Sequence, residues 1–149
     1  MVTSPPLVYA QFGQTLAFAE RALSASLRRQ LAEVGTTPET WYALKLIAMK
    51  GPALAREVLC ADIAGSRSMT VDLTRELLAR LEADGLIRGD SAVDLTDAGE
   101  ARYRSLHTYL AGPALELLGQ FDLKDVETIV RTLQAITKLA TKVSAPAVD

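Results

Sequence analysis

The 149-residue chain has one cysteine, one histidine and no asparagine. A single thiol excludes an internal disulfide framework and a cysteine-rich metal site. With one imidazole beside it, neither a metal cluster nor a nucleophilic triad has the side chains it needs. There is no glycine-rich phosphate loop. No apolar run approaches the ~18 residues of a membrane span. The opening "MVTSPPLVYAQFGQ" lacks the basic and apolar regions of a secretory leader. These absences predict a cytoplasmic protein without enzymatic activity, cofactor or metal. A net charge of −2 excludes a chain coated in positive charge, though not a local basic patch.

What is present is ordinary globular material, 49% hydrophobic and 23% charged, enough for one domain with its own core. Arginine outnumbers lysine and alanine is abundant, the habit of a GC-rich bacterial genome. The pattern is almost entirely helical. A first helix is expected from Pro5 to about Val34, with Ser4 as its cap and Gly35 as its stop. Val8, Phe12, Leu16, Ala19, Leu23, Leu27 and Leu31 form one apolar stripe along it. Such a helix is too long for a small core alone, so part of the stripe is expected to meet another subunit.

A second helix follows Thr37, with Pro38 in its first turn and Gly51 at its end. A third is expected to begin at Pro52 and a fourth at Met69, closed by Gly85. The short connection between them, taken to contain Gly65, has the form of a helix-turn-helix. "LIRG" and "AVDLT" read as strands of a hairpin with Asp90-Ser91 at its tip. Thr96 caps a fifth helix that Gly112-Pro113 should bend or break. Asp122 caps a last helix with the stripe Val126, Ile129, Val130, Leu133, Ile136, Ala140 and Val143, before a frayed tail, "SAPAVD".

Two phrases flank the hairpin: Leu81-Glu82-Ala83-Asp84-Gly85-Leu86-Ile87 and Leu95-Thr96-Asp97-Ala98-Gly99-Glu100-Ala101. With the element order they resemble the MarR family of bacterial winged-helix transcription regulators. The resemblance implies a mostly α fold: a winged helix-turn-helix lobe, about 38–95, with a small β-hairpin wing. Helices about 5–34 and 97–143 would form a dimerisation region. It implies a homodimeric repressor on a pseudo-palindromic DNA operator, read mainly by the helix about 70–84.

The expected DNA contacts are Ser66, Arg67 and Ser68 at the turn, Thr70, Asp72, Thr74 and Arg75 on the helix, and Arg88 in the hairpin. Arg75 suits bidentate reading of guanine. Thr70 and Thr74 suit a base edge or methyl, and the turn residues suit phosphate. Acids pull the other way. Residues 66–104 hold six arginines and eight carboxylates, a net of −2, which lowers non-specific affinity. The short hairpin departs from the longer, Arg-bearing wings of the family. A second reading is therefore a winged-helix scaffold with weak or lost DNA binding, acting as a ligand sensor or interaction module. Arg28, Arg29, Lys45, Lys50 and Arg56 are further candidates for phosphate.

Many MarR relatives release DNA on binding a small, often aromatic, anionic effector. Candidate pocket residues are Phe12, Trp41, Tyr42, Tyr103, His107 and Tyr109, with ordinary core packing as the alternative. Cys60, on the apolar side of its helix, reads as a packing residue.

Overall fold

The computed structural model describes residues 4–144. The elements run α1 (Leu7–Glu33), α2 (Pro38–Lys50), β1 (Leu54–Ala55), α3 (Arg56–Arg67), α4 (Val71–Ala83), β2 (Ile87–Arg88), β3 (Ala92–Leu95), α5 (Asp97–Leu118) and α6 (Leu123–Ser144). They fall into two compact units, Met1–Leu106 and His107–Asp149. The tail beyond Ser144 and the side chain of Val143 lie outside the described residues.

Several boundaries follow from caps. Thr37 accepts a hydrogen bond from Thr40 N at 3.2 Å, and Pro38 occupies the first turn of α2. Gly85, at φ +75°, ends α4 in a Schellman motif: Leu86 N donates to Leu81 O and Gly85 N to Glu82 O. Thr96 accepts from Gly99 N and donates to Gly85 O, tying the end of α4 to the start of α5. Gly99 is needed because any Cβ there would overlap the Leu86 carbonyl. Asp122 accepts from Lys124 N at 2.8 Å and opens α6.

Other boundaries move. The first helix begins at Leu7, with Pro6 rather than Ser4 at its cap position. Pro6 pushes Pro5 out of helical geometry, so the expected start at Pro5 fails. After Gly51, Leu54 and Ala55 form a strand rather than helix, and α3 starts at Arg56. Gly65 lies inside α3; the turn is Ser68 to Thr70, with Ser68 itself left-handed at φ 52°. The helix is not broken at Pro113 and continues to Leu118. Gly112 has no Cβ to clash with the proline ring, which removes the main objection to helix before proline.

The sheet order is β1-β3-β2, antiparallel throughout. Ile87 pairs with Leu95 and Arg88 with Asp94, while Ala92 and Val93 pair with Ala55 and Leu54. The core of the first unit gathers Leu44, Leu59, Ile63, Leu78 and Val93, all fully buried, from α2, α3, α4 and β3. Among the described residues no helix is long and apolar enough to cross a membrane.

Candidate nucleic-acid interface

The helix-turn-helix is α3 and α4. Thr70 caps α4 by accepting from Leu73 N at 3.1 Å. Thr74, Leu77, Leu78 and Leu81 are buried, so the opposite face, Asp72, Glu76, Ala79 and Ala83, points to solvent. Thr74 therefore leaves the set of base-reading candidates. It is completely buried, and its hydroxyl donates to Thr70 O at 2.9 Å, a bond that satisfies it inside the lobe. Asp72 and Arg75 are exposed and 3.8 Å apart. Arg80 is exposed on the other shoulder of the helix, a cation that sequence reasoning did not single out although its spacing from the leucines marks it.

At the turn, Ser66 and Ser68 are exposed. Arg67 is turned inward. Its guanidinium lies 3.5 Å from Glu39, which also meets Arg28 at 3.4 Å. Burial pushes the Glu39 carboxyl up, but its own backbone N–H and the two arginines outweigh this and hold it below its ordinary value. Arg67 thus braces α3 against α2 instead of standing out toward phosphate. Asp62 pairs with Lys50 at 2.9 Å, which together with the ion-pair field of that carboxylate raises the Lys50 ammonium above its ordinary value. Of the further phosphate candidates, Arg28, Lys50 and Arg56 are likewise committed to carboxylates.

The hairpin is held down rather than projecting. Arg56, the first residue of α3, donates its side chain to Gly89 O at 2.9 Å and its backbone N–H to Ser91 O at 2.9 Å. The same guanidinium pairs with Glu82 at the end of α4. Asp94 is half-buried and accepts from Ala53 N, so one of the eight acids is engaged by the backbone. The β2–β3 ladder stops at Arg88–Asp94, and the tip spans Gly89 to Ser91, one residue longer than the expected Asp90-Ser91. Arg88 is exposed and forms no ion pair among the described residues.

Trp41 and Tyr103 are brought together, their rings stacked at 5.5 Å and 13°. Tyr42 is half-buried on α2, while Phe12 on α1 and His107 on α5 are exposed, and Tyr109 is half-buried. An open cleft of about 480 Å³ lies beside Tyr103. Ile47, Pro52, Leu95 and Tyr103 give it apolar walls, and Arg88, Arg104, Asp94 and Glu100 give it charge. Arg104 is bound to Glu100. Most of these wall residues come from separate elements, and their convergence leaves no mark in the local sequence. Cys60 is half-buried on α3.

No protein-family model matches the sequence, and no curated protein matches it. Solved structures do match in fold. A MarR family protein from Bacillus stearothermophilus superposes with a TM-score of 0.72 at 18% identity, over 93% of this chain and 99% of that one. A MarR family regulator from Rhodococcus sp. RHA1 gives 0.72 at 15% identity, over 89% and 97%. The Mycobacterium tuberculosis MarR family protein Rv2887, in complex with DNA, gives 0.67 at 20% identity, over 89% and 98%. The same mycobacterial protein is also similar to this chain in its complex with salicylic acid, at a TM-score of 0.67 and 20% identity, over 83% of this chain and 96% of that one. Identities this low speak to fold, and the fold they share with this chain is the winged helix of the MarR regulators.

Proposed function

We propose that the chain is a DNA-binding transcriptional regulator that acts as a homodimer through one MarR-type domain. The observation that carries this is α4. It is pinned to the core by Leu77, Leu78 and Leu81, and it presents a fully exposed face whose N-terminal half bears Asp72, Arg75 and Glu76. A helix so mounted after a tight turn is the geometry that enters the major groove. The fold match to a regulator solved on DNA supports the reading.

The dimer reading rests on exposed apolar surface. On α1, Val8, Phe12, Leu16 and Leu23 remain exposed, and on α6 so do Ile129, Val130 and Ile136. At the turn between α5 and α6 an apolar hollow is walled by Leu115, Leu118, Phe121 and Leu123. Surfaces of this kind mark interaction sites. Repression follows from the same reading: a dimer seated on a promoter blocks access to it.

The cleft beside Tyr103 is our proposed effector site. Its apolar walls and Arg88 suit a small aromatic anion, while its two carboxylates, Asp94 and Glu100, are engaged by Ala53 N and Arg104. The salicylic acid complex of the mycobacterial regulator favours that class.

Mobility-shift titration of the chain against DNA from upstream of its own gene, at two salt concentrations, tests the reading. Specific binding with a shallow salt slope is the expected result, because few cations on the α4 face are free to replace phosphate counterions. Absence of binding at low salt would leave the fold as a scaffold for sensing or protein interaction. Release of bound DNA by millimolar salicylate tests the effector.

A further inference from the structure

The exposed face of α4 is unusual for a surface that meets DNA: its outermost ridge carries Asp72 and Glu76, with Arg75 and Arg80 on opposite shoulders. We infer that Asp72 and Arg75 act together as a reader of one C·G base pair, and that Glu76 reads a second cytosine further along the same half-site. The inference rests on the DNA-binding reading above and adds the sequence that α4 selects.

The chemistry is one of complementarity. In the major groove a C·G pair offers the cytosine N4 amino donor beside the guanine O6 and N7 acceptors. An ionised carboxylate only accepts, and a guanidinium only donates. Asp72 and Arg75, 3.8 Å apart and one turn apart on the helix, present that acceptor and donor side by side. The two side chains are 92% and 71% exposed, and the one ion pair that they make among the described residues is with each other. Their mutual attraction also steers the guanidinium across the face of α4.

Glu76 follows Asp72 by one turn, about 6 Å along the axis, or about two base-pair steps of 3.4 Å. Among the described residues it has no ion pair in the protein, so its carboxylate is free to accept. Ala79 and Ala83 continue the ridge with short side chains, so nothing longer holds the helix away from the groove floor. Arg80, opposite Arg75, faces the other wall, where phosphates lie. Acids on a DNA-facing ridge raise the cost of non-specific binding everywhere and repay it only over cytosine. They therefore trade affinity for selectivity.

The test uses the whole chain and synthetic duplexes. Selection from a randomised duplex library is expected to return half-sites with two C·G pairs about two steps apart. Anisotropy titrations then compare the selected duplex with a scrambled one, for the wild type, Asp72→Ala, Glu76→Ala and Glu76→Gln. Circular dichroism confirms that these surface variants fold. Each alanine variant is expected to bind the selected duplex about tenfold more weakly and the scrambled duplex more tightly. Glu76→Gln is expected to move the preference at its position from cytosine to adenine, because a glutamine amide matches adenine N6 and N7. If both alanine variants bind both duplexes more tightly, the acids are merely repulsive and the inference falls while the DNA-binding reading stands. If the wild type binds no duplex at low salt, both fall.

Discussion

The winged lobe and the long helices treat their leucines differently. In the lobe, α2, α3 and α4 bury one face each: Leu44, Leu59 and Leu78 are all 0% exposed. On α1, only Leu31 of the whole stripe is buried, while Val8 is 61% and Leu16 40% exposed. On α6, Ile129 is 56% exposed, although the helix is strongly two-faced. Both regions are written with the same helical period. The lobe satisfies its pattern within one chain, and α1 and α6 do not. An apolar stripe specifies that a face be covered, without saying by which chain.

The contrast breaks most visibly at the lobe's centre. Leu78→Ala removes a fully buried side chain from α4, and we expect a loss of about 2–5 kcal/mol in urea unfolding. A change below 1 kcal/mol would show that the lobe core is not closed as described. Leu16→Glu probes the other side of the contrast. In a lone chain the glutamate would sit in water at little cost. In a dimer it would be forced into an apolar seam, and we expect the dissociation constant to rise at least about 100-fold, roughly 2.7 kcal/mol. Light scattering across a dilution series reads this directly, and an unchanged mass would remove α1 from the interface.

The same division governs what the sequence reveals. Caps are local, so Thr37 with Pro38, Thr96 and Asp122 are legible within four residues, as is the Gly85 stop of α4. The turn of the helix-turn-helix is misplaced because Gly65 looks like a stop, whereas left-handed Ser68 is the actual one. Strand β1 is invisible for a different reason. Two residues make no pattern, and Leu54 and Ala55 are strand only because Val93 and Ala92 lie beside them. Thr74 and Arg67 both read as solvent-facing polar residues. Thr74 lies on the leucine face of α4, where the Thr70 carbonyl satisfies its hydroxyl, and Arg67 is drawn inward by Glu39 on another helix. The candidate site was therefore legible where helical exposure decides it, at Asp72 and Arg75, and illegible where distant pairing decides it, at Arg67.

Distant pairing also makes the hairpin testable. Arg56→Ala removes the bond to Gly89 O and the pair with Glu82, both partly exposed to solvent. We expect about 1 kcal/mol of lost stability once screening is allowed for. Amide exchange should quicken at Ala92 and Val93 more than at Leu77 or Leu78. Equal quickening in hairpin and α4 would mean that Arg56 supports the lobe as a whole rather than restraining the hairpin.

The smallest effect concerns Glu39, which joins Arg28 of α1 and Arg67 of α3. Its carboxyl is held below the ordinary value of 4.5 in the folded chain. A depressed folded value means that the unfolded chain takes up the proton first. The stabilisation is thus complete above the unfolded value and disappears as pH falls through the folded one. Glu39→Gln should cost a few tenths of a kcal/mol to about 1 kcal/mol near neutrality and almost nothing once the wild-type carboxyl is protonated. Unfolding curves of the two proteins should converge on acidification below 4.5. If they instead stay parallel, the difference does not come from the ionised carboxylate, and the attachment of α1 to the lobe depends on packing at Leu31 rather than on charge.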